Sequence, residues 1–207
     1  GCGVFDGSEI HESVLTMLTL SQNNAEVHYF SPNDFQPTVI NHITGEEKSE
    51  KRNMMEESSR ISRGKISPLS EARAENFDAV IIPGGFGAAK NLCNFATKGT
   101  ECEINKDLLR FVQAMHQQKK PLGLICIAPV MLPKMLNAPI KLTIGNDVET
   151  ASAIEKMGGV HIDCPVDDIV VDEEYRVVTT PAYMLAQSIA QAQIGIDKLV
   201  KKVLEMA

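Results

Sequence analysis

Pro121-Leu122-Gly123-Leu124-Ile125-Cys126-Ile127-Ala128-Pro129 reads as a buried strand that runs straight into a helix. Residues 121–126 are apolar on both faces, the pattern of a parallel strand covered on both sides. Ala128-Pro129 opens the helix, where proline is tolerated because first-turn N–H groups lack intrahelical partners. A strand that turns into a helix through one residue with small neighbours makes a nucleophile elbow. Its strained backbone lifts the side chain above the sheet and aims helix amides at it. A thiol there gains from the positive helix end, which favours thiolate. The other use of such a cysteine is as a small buried hydrophobe.

Outward from this segment the chain alternates between the same two elements. Upstream, Ala79-Val80-Ile81-Ile82 is predicted as a central parallel strand ended by Pro83-Gly84-Gly85, and Asn105 to Gln118 as a helix with Leu108, Leu109, Val112 and Met115 inward. Ser8 to Leu20 carries Ile10, Val14, Leu15, Met17 and Leu18 at helical spacing, with Ser8 as the expected cap. Glu26 to Phe30 is a short β-prone run stopped by Ser31-Pro32. Residues 33–76 are the most polar stretch, an excursion with a helix near 53–61 rather than a linker. Downstream come a strand at Lys141–Ile144, a helix at Val148–Met157 closed by Gly158-Gly159, and a hairpin of Ile169–Asp172 with Arg176–Thr180. A last helix is expected from about Met184 to Met206. Strands alternating with helices predict an α/β domain with a mainly parallel sheet covered on both faces, and ligands beyond the carboxyl ends of its strands. The segment Gly1–Gly7 reads as a strand-to-helix loop, so a short strand is expected before it.

Composition narrows the function classes. The 207 residues, of 22.6 kDa, suit one domain, 1–207. Acids outnumber bases by 27 to 20, for a formal charge of −7, which argues against nucleic acid as the main partner. No apolar run approaches the roughly 18 residues of a membrane helix. Five cysteines with no C-x-x-C pair indicate neither a zinc site nor a disulfide framework, and a reducing compartment fits.

Three loops fall at the carboxyl ends of predicted strands. Besides Cys126, the run Pro83-Gly84-Gly85-Phe86-Gly87 offers backbone N–H groups that approach a ligand oxygen closely, as an oxyanion hole requires. It has neither the spacing of a phosphate loop nor that of a dinucleotide fingerprint. The run Asp6-Gly7-Ser8-Glu9-Ile10-His11-Glu12 places Glu9 and Glu12 on one side of a first helical turn, where a carboxylate could move the thiol's proton, and makes His11 a further base candidate. Thr179-Thr180-Pro181-Ala182-Tyr183 ends a strand at the same edge, where its hydroxyls could line the pocket. Cys2, Cys93, Cys102 and Cys164 have no base at helical or strand spacing. Asp167-Asp168 and Asp172-Glu173-Glu174 read as a solvated hairpin.

Together GCGVFDGSEIHE, INHITGE, RISRGKI, PGGFGAAKN, AMHQ, KPLGLICIAP, CPVDDIVVDE and VVTTPAYM resemble the ElbB-like family, the isoprenoid biosynthesis proteins with an amidotransferase-like domain. That family lies in the class I glutamine amidotransferase-like superfamily, which includes the PfpI proteases. The resemblance implies a flavodoxin-like three-layer sandwich, Cys126 as nucleophile and Glu12 as the carboxylate beside it. It also implies an oxyanion site from backbone N–H groups around Gly85 and Ile127. The implied activity is that of a cofactor-free, glutathione-independent glyoxalase acting on a small 2-oxoaldehyde, in a homodimer without metal. The alternative is a non-catalytic redox or stress-responsive module linked to isoprenoid metabolism. A cytoplasmic location is expected, with the mitochondrial matrix as the alternative. Three departures stand out: Ala128 where the amidotransferase elbow has glycine, Ile127 where the PfpI branch has histidine, and Thr180-Pro181-Ala182 in place of His-Pro-Glu.

Overall fold

A computed structural model describes residues 1–207. In chain order its first half holds α1 (Ile10–Gln22), β1 (Phe30–Ser31), α2 (Met54–Ser58), β2 (Ser67–Pro68), β3 (Val80–Ile82), α3 (Phe86–Lys90), α4 (Phe95–Lys98) and α5 (Lys106–Gln117). The second half holds β4 (Leu122–Ile125), α6 (Leu132–Leu136), β5 (Lys141–Leu142), α7 (Val148–Lys156), β6 (Val160–His161), β7 (Val170–Asp172), β8 (Val177–Thr180) and α8 (Ile189–Met206). The main sheet has the order β3-β4-β8-β7, with the first three parallel and β7 antiparallel to β8. Two further parallel pairs, β1-β2 and β5-β6, flank it. Side chains tie β5 to the main sheet: Asp172 Oδ2 accepts from the Lys141 N–H at 2.8 Å, and Thr179 Oγ1 from the Thr143 N–H at 2.9 Å.

The layers follow from the faces of β4, all four of whose residues are buried. Leu122 and Leu124 join one apolar cluster with Val112 and Met115 of α5 and Met135 of α6. Ile125 joins a second with Leu15 of α1 and Ile196, Leu199 and Val203 of α8. Helices therefore cover both faces, the sandwich arrangement of a flavodoxin-like α/β fold. Gly123 lets α8 lie directly on the strand, since a Cβ there would sit 3.0 Å from the side chains of Leu199 and Val203.

Local chemistry moves several boundaries. The first helix begins at Ile10, not Ser8, because the Glu9 side chain caps it by accepting from the Glu12 N–H at 2.7 Å. The β-prone run at 26–30 forms a ladder only at Phe30–Ser31. The last helix starts at Ile189, where Ser188 caps it, after a single 3₁₀ turn at Ala182–Met184. The expected central strand near 79–82 pairs with β4 along one edge only, and its other edge has no strand beside it.

The polar excursion folds back over the first loop rather than extending away. Asp6, buried, accepts from the Ile40 N–H at 2.7 Å through Oδ2, and its carbonyl accepts from Gln36 Nε2 and Asn91 Nδ2. This braces residues 1–9 against the Gly84–Gly87 turn, where Phe86 N–H donates to the Val4 carbonyl at 2.7 Å and Gly87 N–H to the Gly7 carbonyl at 2.9 Å.

Candidate active site

Cys126 is the first residue beyond β4 and has φ 64°, a left-handed conformation costly for a residue with a side chain. The turn is held by its N–H, which donates to the Thr180 carbonyl at 2.9 Å. This is the geometry of the nucleophile elbow. Short turns follow it, a 3₁₀ segment at Ala128–Met131 and then α6.

Glu12 approaches the sulfur from α1. Its side chain is 0% exposed, and its carboxyl packs beside the Cys126 thiol next to Gly84. Oε2 accepts from the Gly84 N–H at 2.9 Å and Oε1 from the Tyr183 N–H at 3.3 Å. Burial, more than these contacts, sets its ionisation: removal from water lifts the carboxyl from 4.5 to about 7, helped by the charge of Glu9. The Cys126 thiol is itself pushed well above its ordinary value, first by burial and then by the neighbouring Glu12 carboxylate. The backbone N–H groups of Gly85 and Ile127 face the sulfur and partly offset this. The expectation of a resting thiolate is therefore corrected. The thiol is 7% exposed beside an acid, and the short turns beyond it offer little compensating dipole, so it rests protonated next to a carboxyl that titrates near neutrality.

The other predicted site residues divide. Gly85 and Ile127 stay with the sulfur as amide donors. The Gly84 amide is committed to Glu12 and is not free for an oxyanion; this corrects its expected role to holding the carboxylate. Gly84 also leaves the space that the pair occupies. A Cβ built there would lie 2.4 Å from Cys126 Cβ and 2.6 Å from Glu12 Oε2. Gly84→Ala is expected to lower stability by about 2 kcal/mol, a fall of roughly 5 °C in Tm by thermal denaturation, and to separate carboxyl from thiol.

Thr180 is corrected as well. Its hydroxyl donates to the Asp168 carbonyl at 2.8 Å and faces α8, so it locks the strand end instead of lining a pocket; its backbone carbonyl is what serves the elbow. His11 stands on the exposed side of α1, with Nδ1 2.7 Å from the Tyr183 hydroxyl. No hydrogen bond joins it to Cys126 or Glu12. Sequence reasoning missed the backbone amide of Tyr183 as an anchor for Glu12, and no side-chain pattern could have marked it. The remaining thiols are free; burial pushes Cys93 up to about 12 and Cys164 up to about 11. No three His, Cys, Asp or Glu residues cluster closely enough to hold a metal, and no helix is long and apolar enough to cross a membrane.

A flavodoxin-like sheet with a strained cysteine elbow and a buried carboxyl at its carboxyl edge defines the class, and the chain belongs to the DJ-1/PfpI family, whose profile matches residues 3–187. Among its relatives, the human protein "Glutamine amidotransferase-like class 1 domain-containing protein 3, mitochondrial" is 44% identical over 216 residues, spanning 100% of this chain and 80% of that protein. The crystal structure of an isoprenoid biosynthesis protein with amidotransferase-like domain from Ehrlichia chaffeensis superposes with a TM-score of 0.93 at 37% identity, covering 100% of this chain and 96% of the other. Glyoxalase III from Candida albicans shares the fold at a TM-score of 0.62 and 13% identity, covering 98% and 92%.

Proposed function

We propose that the chain is a cofactor-free glyoxalase that converts methylglyoxal to lactate, or glyoxal to glycolate, through a covalent adduct on Cys126. The observation that carries this reading is the Glu12–Cys126 pair: a neutral nucleophile packed beside a buried carboxyl whose pKa of about 7 suits both proton removal and return. Glu12 accepts the thiol proton as sulfur adds to the aldehyde carbon, and the resulting oxygen takes a proton to give the hemithioacetal. The carboxylate then removes the proton on the former aldehyde carbon and returns it to the adjacent carbon through an enediol, leaving a thioester. Water hydrolyses the thioester, so the net change is addition of one water and no external oxidant is needed. The Gly85 and Ile127 amides are placed for the oxyanions that arise at the sulfur-bound carbon.

The test is lactate release from methylglyoxal without glutathione, followed across pH. Glu12 must be ionised to act, so turnover is expected to rise about ten-fold from about pH 6 to about pH 8 and to level off above the carboxyl's pKa. One equivalent of adduct with no further turnover would overturn the reading. Glutamine hydrolysis has less support, because no histidine contacts Cys126 and His11 is engaged by Tyr183. A redox module has less support too: a buried, protonated thiol reacts slowly with oxidants. The exposed apolar stripe of Ile10, Val14 and Leu18 along α1 favours the homodimer. The mitochondrial name of the human relative favours the mitochondrial alternative over a cytoplasmic location.

A further inference from the structure

Ala182, the first residue of the 3₁₀ turn beyond β8, has φ 42°, in the left-handed region, and is fully buried. A residue with a side chain keeps such a backbone only where its surroundings impose it. Two hydrogen bonds cross from α1 to this turn, and Tyr183 makes both. Its backbone N–H donates to Glu12 Oε1 at 3.3 Å. Its hydroxyl meets His11 Nδ1 at 2.7 Å, with the two rings 5.7 Å apart. His11 and Glu12 are consecutive on α1, so their side chains leave the helix about 100° apart, one on the exposed side and one buried beside the sulfur. Tyr183 straddles that edge of the helix, with its backbone inside and its phenol outside.

The outer bond is the better made of the two. At 2.7 Å it is short, whereas the amide bond to Glu12 is long. The phenol also stays protonated, because partial burial and then the charges of Glu9 and Glu12 push its pKa up. Held at the ring, the Tyr183 backbone cannot swing away from α1, and the longer contact persists. The other amide on this carboxyl, that of Gly84, grips Oε2 at 2.9 Å and leaves Oε1 to Tyr183. The titratable groups that face the carboxyl are Glu9 on α1, Cys126 beyond β4 and the Tyr183 phenol. We propose that His11 and Tyr183 form a clamp that positions Glu12: the His11 side chain holds the phenol and, through it, keeps the Tyr183 backbone N–H on the carboxylate. This rests on the reading of Glu12 as the base and deepens it, since His11 then serves the site without touching the substrate. A hydrogen bond to a carboxylate favours its ionised form, so the clamp sets the pH at which the base becomes available.

The test measures Glu12 and turnover separately in Tyr183→Phe, His11→Ala and the two combined. Carboxyl-carbon NMR of protein labelled in glutamate, with the Glu12 signal assigned by its loss in Glu12→Gln, follows the carboxyl without any substrate. Removing either partner is expected to raise the Glu12 midpoint by about half to one pH unit, since part of a hydrogen bond to the charged form is lost. The combined variant is expected to equal the single ones, because the two residues act as one device. Lactate release from methylglyoxal is expected to fall about three- to ten-fold at about pH 6 and to match the parent protein at about pH 9. Unmoved midpoints, or shifts that add in the combined variant, overturn the clamp. Turnover lost equally at every pH with the midpoint unmoved overturns it as well. If the parent protein releases no lactate, the reading of the reaction fails, while the NMR midpoints still decide the clamp.

Discussion

Cys126→Ala is expected to fold and to release no lactate above the uncatalysed rate, a loss of roughly 10⁴-fold or more in kcat. The covalent route has no other nucleophile, since the remaining four cysteines stand elsewhere and burial raises Cys93 and Cys164 far from reactivity. Stability should change by only about 1 kcal/mol, because alanine carries the same backbone cost at φ 64° and the void left by one sulfur is small. The pair of readouts matters: lost turnover with an unchanged circular dichroism spectrum isolates chemistry from folding. Turnover that persists in this variant would remove the adduct from the mechanism and leave Glu12 as a base acting on a non-covalently bound aldehyde.

Glu12→Gln is expected to lower kcat about 10³-fold and to abolish the pH-dependent limb near 7. The same substitution has a stability signature with a definite sign. The carboxyl titrates at about 7 in the fold and near 4.5 in a water-exposed chain. Between those values the folded protein holds a proton that the unfolded chain releases. Its stabilising contribution is therefore complete below about pH 4.5 and is lost as pH rises through about 7, on the order of 3 kcal/mol in all. Glutamine does not titrate, so the variant loses this slope; urea unfolding at about pH 5 and about pH 8 measures it. A Gln side chain keeps an acceptor for the Gly84 N–H and forfeits the long contact to the Tyr183 N–H. Unaltered turnover with the slope removed would show that Glu12 is buried at the site without acting as its base.

These two expectations share one origin. The site places an acid beside a thiol and removes both from water, so burial raises both pKa values, and the Glu12 charge lifts the thiol further while the thiol in turn favours the carboxylate. What such a pair does well is to exchange one proton as a charge develops elsewhere. That is the demand of an aldehyde becoming an oxyanion and of a carbon acid becoming an enediol.

The elbow was legible because its requirements are local. An apolar run, one cysteine, small neighbours and a proline that opens a helix can all be read within nine residues, and the left-handed φ of Cys126 follows from that connection. The alternation of strands and helices was legible for the same reason, since periodicity records which faces are buried. Glu12 could be proposed from its place in a first helical turn beyond a sheet edge. The cap was misread, because a serine and a glutamate one residue apart are both competent and only the packing against the Gly84 turn selects Glu9.

Sequence alone determined the class of fold, the residue that carries the nucleophile and the loops that converge on it, because these rest on patterns along a few turns of chain. Tertiary structure decided the rest. It turned the Thr180 hydroxyl toward Asp168, gave the Gly84 amide to Glu12, and brought the Tyr183 amide to the same carboxylate from 171 residues away. It also decided protonation, since burial and the approach of one acid to one thiol arise only when separate helices and strands pack. No pattern within either segment records how much water remains between them.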